Sequence, residues 1–376
     1  MIVQHPMLWC AVFFAAGIAI GLQFPFWGYY LPLLAVSAFA CTVLRTTRYW
    51  YDVLTLFVWL LLGSSRAAIG PVFETEPAWQ ETVKAKAETV QTTLVTRLSK
   101  SGLSPGTQAL CSALVVGQKA DLRIETRQAY NRVGASHLLA LSGMHLGIIY
   151  TFLYFIFIRV VRHTRWRWHA LPFILLCLWG YALIAGMPVS LMRAALMLSI
   201  FTIISLMQYD TDPLHLLAVS AIVILLIAPA DLLSISFQLS FSAVFFILAL
   251  WVPLRNRLPK LPWAVRLLAV SCVAQIGTMP LTLYYFHQLP LLAPLLSLLL
   301  IPLTTLIIYL TLVVMVLPIA PLGWILDVLG NFQQRIIDLA GSIPGGTLTD
   351  IYPSLLVVAL MYGAMLLAIV RLRTNV

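Results

Sequence analysis

Acidic side chains are scarce in this sequence. Only 13 of 376 residues are Asp or Glu, and all charged residues together make up 10% of the chain. A soluble domain carries about 25%, so a soluble globular protein and a disordered chain are both excluded. Cysteine is sparse too. Cys10, Cys41, Cys111, Cys177 and Cys272 form no metal or redox spacing, which excludes a disulfide scaffold and leaves them as small core residues. The sequence has no Walker loop, no Gly-x-Gly-x-x-Gly beside a strand, no Cys-x-x-Cys and no paired carboxylates within an apolar run. A primary ATP-driven pump and a carboxylate proton relay are therefore not expected. His-Glu-x-x-His is missing as well, so no metal site and no cofactor are expected.

What abounds is apolar material: 61% of residues are hydrophobic and the mean hydropathy is +0.96. At roughly 20 residues per crossing, this suffices for about ten or eleven spans. Long apolar runs, rather than short alternating segments, argue against a β-barrel. The expected fold is an all-α polytopic membrane protein of about 11 transmembrane helices with a short external amphipathic helical segment. Three parts are distinguished: residues 1–70, a three-helix membrane segment; 71–135, an external basic helical segment; and 136–376, the main transmembrane domain.

The spans fall at residues 8–24, 30–44, 53–68, 137–158, 170–185, 190–207, 214–227, 232–252, 264–285, 291–317 and 355–370. No Lys or Arg precedes the first run, so it reads as a retained helix rather than a cleaved signal. Residues 79–98 read as a polar helix, and 107–116 and 122–132 as two amphipathic ones. Residues 322–343, with Asp327, Asn331, Gln334 and Asp338 among aliphatics, read as a helix lying in the membrane interface.

The net charge of +10 first reflects the positive-inside rule, and a polyanionic ligand is the alternative source. Arg45 and Arg48, then Arg159, Arg162, Arg165 and Arg167, then Arg255, Arg257 and Lys260 all fall on one side, the cytoplasmic one. Residues 71–135 then lie outside. By the same count Arg371 and Arg373 also fall outside, against the rule.

Polar groups within spans usually face a bundle interior or a water-filled path. The fourth span carries His137, Ser142, Gly143, His145 and Gly147. As one helix it would hold the two histidines within about 80°, with Gly143 and Gly147 admitting a neighbouring backbone. Tight packing with satisfied histidines is the plainer alternative, and no third group completes a hydrolytic Ser142–His145 pair. Arg193 follows Gly186 and Pro188 at the start of the sixth span, either snorkelling or forming a cation at a pore mouth. Gln238 lies among Ser234, Ser236, Ser240 and Ser242, as interhelical glue or as a path lining. Ser271, Gln275, Thr278 and Thr282 form the cleanest stripe, within about 60°, and Pro280 should break that helix near Ile276.

These residues fall in motifs that resemble the ComEC family of bacterial competence proteins. The segment Ala113-Leu-Val-Val-Gly117-Gln-Lys119-Ala-Asp-Leu122 is similar to the family's A-L-x-x-G-x-K/R-x-x-L. Gly134-Ala-Ser-His137-Leu-Leu-Ala-Leu-Ser142-Gly143-Met-His145-Leu-Gly147 is similar to its G-x-x-H-L-L-A-I-S-G-L-H-V-G signature. Further matches are Ser190-Leu-Met-Arg193, Phe237-Gln238-Leu-Ser240-Phe, Gln275-Ile-Gly-Thr-Met-Pro280 and the run from Pro294 to Pro302, where Ser297 replaces a family asparagine. The ordered match covers residues 109–343.

The resemblance implies a multi-pass inner-membrane channel passing single-stranded DNA during natural transformation. His137, Ser142, His145, Arg193, Gln238, Ser271, Gln275, Thr278 and Thr282 would line the path. Lys119, Arg123, Arg127 and Arg132 would guide the strand, and Gly143 and Gly147 would pack helices. Its partners would be single-stranded DNA, membrane lipids and other competence proteins, including a separate nuclease or translocation motor. About 30 residues between Gly70 and Leu103 are too few for the OB-like domain of many members. The His-x-His-x-Asp-His run of the metallo-β-lactamase-like domain is missing, so no enzyme activity is expected in this polypeptide. A secondary transporter for a small anionic or lipid-linked metabolite, or a structural membrane subunit, stays open from the residues alone.

Overall fold

The computed structural model describes residues 6–24, 30, 33–37, 40, 48–69, 78–160, 167–206, 212–251, 253–254 and 261–374. The second span (30–44) and the basic loops with Arg45, with Arg162 and Arg165, and with Arg255, Arg257 and Lys260 lie largely or wholly outside them. The helices are α1 Pro6–Gln23, α2 Arg48–Ala68, α3 Ala78–Ser99, α4 Pro105–Val116, α5 Ile124–Arg132, α6 Ser136–Leu139, α7 Gly143–Tyr154 and α8 Arg167–Ile184. They continue with α9 Val189–Leu206, α10 Pro213–Ile227, α11 Ile235–Phe246, α12 Trp263–Phe286, α13 Ala293–Val316, α14 Ala320–Gly341 and α15 Leu355–Thr374. One two-residue ladder interrupts this nearly all-α fold: β1 (Leu289–Pro290) pairs antiparallel with β2 (Thr347–Leu348), Leu289 opposite Leu348.

Among the described residues, three helices are long and apolar enough to cross a membrane: α1, α12 and α13. Most of the other expected spans form shorter apolar helices. Their apolar runs are cut by chain punctuation, such as Gly186 and Met187 at positive φ between α8 and α9.

The chain divides into two compact units, residues 1–76 with 199–248 and residues 77–198 with 249–376. In the first, α1 and α2 approach until their backbones touch. A Cβ built on Gly17 would lie 1.9 Å from the Leu60 carbonyl oxygen, so only glycine fits there. Ser64 Oγ donates to the Gly17 carbonyl at 2.9 Å across the same contact. Arg66 donates to the Leu226 and Ile227 carbonyls at 2.6 and 3.1 Å, satisfying carbonyls that the end of α10 leaves unpaired.

In the second unit, residues 78–132 supply α3, α4 and α5, which lie along α13 and α14. Helix α4 is buried on nearly every side, nine of its twelve residues, rather than amphipathic. Its first turn meets α14: Ser104 Oγ donates to Asp327 at 2.5 Å, and a Cβ on Gly330 would fall 2.6 Å from Thr107 Cγ2. Tyr130 of α5 accepts from Gln333 Nε2 at 3.0 Å, and Gln333 Oε1 accepts from Thr304 of α13 at 3.2 Å. This three-residue relay is the polar tie within a core of Leu98, Leu114, Leu138, Ile307, Leu326 and Ile337. A buried amide with both ends bonded fixes three helices in one register.

Candidate functional site

The fourth span is not one helix. It opens as the single turn α6, runs extended through Ala140–Ser142, and restarts as α7. The cause lies in Ser142 and His145, which form a capping box. The Ser142 side chain accepts from the His145 backbone N–H, and His145 Nδ1 accepts from the Ser142 N–H at 3.3 Å. Two N–H groups that a helix start leaves orphaned are thereby satisfied. Ser142 Oγ and His145 Nδ1 also lie 3.2 Å apart. The break separates His137 from His145, so the shared helical face expected from their spacing does not exist.

The sixth-span motif closes over this break. Ser190 Oγ donates to the Leu141 carbonyl at 2.6 Å, serving an acceptor that the missing helical turn would have paired. One turn further on, Ala194 packs on Gly143, where an added Cβ would stand 3.1 Å from the Ala194 Cβ. Gly147 has nothing within 4 Å of such a Cβ. Arg193 lies on the same helix, one turn after Ser190, and is buried, with 4% exposed. His145 is fully buried. Its Nε2 makes no hydrogen bond.

A second cluster joins the start of the signature to the Gln275 motif. Gly134, at φ +75°, receives the Pro290 ring so closely that a Cβ there would meet Pro290 Cγ at 2.3 Å. Gln275 Nε2 donates to the Pro290 carbonyl at 2.7 Å, and His137 Nδ1 lies 3.0 Å from the Gly134 carbonyl. His137, Gly134, Leu296 and Ser297 border one narrow cleft. Sequence reasoning missed Pro290; its only signal was a proline just before an apolar helix.

The α12 stripe is half-buried at Ser271, Gln275, Thr278 and Thr282. Thr278 and Thr282 turn their hydroxyls onto their own helix, to the Ala274 and Thr278 carbonyls at 3.0 Å each. The expected break at Pro280 does not occur, and α12 runs through it to Phe286. Side chains serve the neighbouring carbonyls instead, Tyr362 Oη donating to Gly277 at 3.1 Å. Gln238 belongs to the other unit, near the start of α11, where its Nε2 donates to the Leu232 carbonyl at 3.1 Å. Lys119, Arg123, Arg127 and Arg132 are all exposed. Arg127 donates to the Lys119 carbonyl, and the Arg132 carbonyl accepts from Thr347 Oγ1.

A broken backbone, a buried arginine and hydroxyl ties thus lie within a nearly all-α chain, three of whose described helices are long and apolar enough to cross a membrane. Residues 114–375 match the model of the Competence protein family, and the chain belongs to that family. It is similar to ComE operon protein 3 of Bacillus subtilis (strain 168), 33% identical over 210 residues, covering 55% of this chain and 26% of that protein. It is also similar to Recombination protein 2 of Haemophilus influenzae (strain ATCC 51907 / DSM 11121 / KW20 / Rd), 31% identical over 199 residues, 49% of this chain and 25% of that protein. The chain thus matches about a quarter of the length of these curated relatives. No solved structure matches it.

Proposed function

We propose that this chain forms a bacterial inner-membrane passage for single-stranded DNA during natural transformation. The observation that carries this reading is the family match over residues 114–375. Part of the family-like motifs fits it, because Ser142, Gly143, His145 and Ser190 meet at a broken helix. About eleven apolar spans hold the passage, with the arginine-rich loops around residues 159–167 and 255–260 in the cytoplasm. Polar side chains of His137, Ser142, His145, Arg193, Gln238, Ser271, Gln275, Thr278 and Thr282 serve a strand that must both enter and leave. Gly143 and Gly147 let helices approach. The polypeptide acts as a conduit rather than an enzyme, among membrane lipids and other competence proteins that include a separate nuclease or motor.

Lys119, Arg123, Arg127 and Arg132 guide the strand toward the mouth. Changing Arg123, Arg127 and Arg132 together to Gln should lower uptake of labelled DNA while leaving protein abundance intact. It should also flatten the salt dependence of single-strand binding, whose log–log slope is roughly −0.7 per phosphate contact. Deleting the gene should abolish transformation while surface binding of DNA persists. Normal transformation in the deletion strain would refute the reading.

A further inference from the structure

Helices α13 and α14 form an antiparallel hairpin with only residues 317–319 between them. Thr304 and Gln333 bond across its middle at 3.2 Å. At its far end Leu292 and Ala340 border the same cavity, of about 300 Å³. There the Leu291 N–H donates to the Gly346 carbonyl at 2.9 Å, and β1 pairs with β2. Helix α14 therefore begins where α13 ends and finishes where α13 begins. Its 22 residues reach about 33 Å at 1.5 Å per residue, against a hydrocarbon core of about 30 Å. Since α13 is long and apolar enough to cross a membrane, α14 is long enough to cross beside it.

Three faces divide α14. Gly323, Leu326, Gly330, Gln333 and Ile337 are buried against the bundle. Trp324, Val328, Phe332 and Leu339 are exposed and apolar, which suits acyl chains, and exposed Arg335 on the same face lies within two turns of the helix end, from where its long stem can snorkel to the interface. Asp327, Asn331, Gln334 and Asp338 fall within about 60° of one another, and none of them is buried. The amides serve the carboxylates along this stripe, Asn331 donating to Asp327 at 3.1 Å and Gln334 to Asp338 at 2.9 Å. Asp327 is also met by Ser104, but lipid tails offer no partner for the other oxygens of Asn331, Gln334 and Asp338, and polar groups at membrane depth face protein or a water-filled cavity.

We propose that α14 is a membrane-crossing helix and that its polar stripe forms one wall of a water-filled passage. This rests on the reading of the chain as a membrane passage and identifies a surface of it. The charge pattern supports the crossing independently. An added crossing before α15 returns Arg371 and Arg373 to the side of the Arg159–Arg167 cluster, as the positive-inside rule requires.

Single-cysteine labelling tests the proposal, read as the increment over the parent chain and on variants that accumulate normally. Asn331→Cys, Gln334→Cys and Asp338→Cys should react with a small hydrophilic thiol reagent at least tenfold faster than Val328→Cys, Phe332→Cys and Leu339→Cys. An impermeant reagent should reach Ile319→Cys and Ser342→Cys from opposite faces of the membrane. Equal rates on the two stripes would overturn the aqueous wall. Labelling of both ends from one face would overturn the crossing and return α14 to the interface. The labelling needs no DNA, so the expected pattern in a strain whose deletion leaves transformation normal would keep the wall and discard only the cargo.

Discussion

Ser142 and His145 show how one residue pair can serve either geometry or chemistry. Both are polar and close, yet each already bonds the other's backbone in the capping box. Ser142→Ala should destabilise the protein by about 1 kcal/mol, the usual cost of losing a cap. His145→Gln should retain most stability and DNA uptake, because glutamine can fill the same capping position, whereas His145→Leu should lose both. Thermal unfolding in detergent alongside transformation frequency separates these outcomes. If His145→Gln is stable but inactive, the imidazole does more than cap. The motif was legible in the sequence, but its role was not. Helical periodicity runs His137 and His145 together, and it takes the Ser190 contact with the Leu141 carbonyl, from 49 residues away, to hold the interruption open.

At the level of elements, α12 and α4 show opposite errors of local reading. Proline removes one helical donor and usually bends the chain, so a break at Pro280 was a sound expectation. The helix runs on through Pro280, with Thr278 bonding back to Ala274 and Tyr362, 85 residues later, reaching Gly277 next to Ile276, whose carbonyl the proline cannot serve. Pro280→Ala should therefore leave stability unchanged or slightly raised, which a melting curve would show. Helix α4 was expected to be amphipathic, while its burial comes from α13 and α14, some 200 residues away. The close contact of α14 with this region is steric. A Cβ at Gly323 would stand 2.1 Å from the Ser101 carbonyl oxygen, so Gly323→Val should cost about 1–3 kcal/mol, the usual range for overpacking, and reduce abundance.

At the scale of the whole molecule, composition and long apolar runs were enough to indicate a nearly all-α chain with helices apolar enough to cross a membrane, because 61% apolar residues admit few other classes. The topology was less legible. Counting apolar runs passes over any helix that carries three charges, and α14, the proposed crossing, has Asp327, Arg335 and Asp338. With that crossing included, a reporter fused after residue 376 should be active only in the cytoplasm; activity outside would restore the original count. The two-residue ladder has a consequence of its own. It joins the beginning of α13 to the chain just past α14, while the turn at the other end, residues 317–319, is exposed. Exposed turns of this kind tolerate interruption. Two separately expressed pieces, residues 1–317 and 318–376, should find each other in the membrane and copurify. Thr304, Tyr130 and Ser104 in the first piece would hold Gln333 and Asp327 in the second, as they do in the continuous chain.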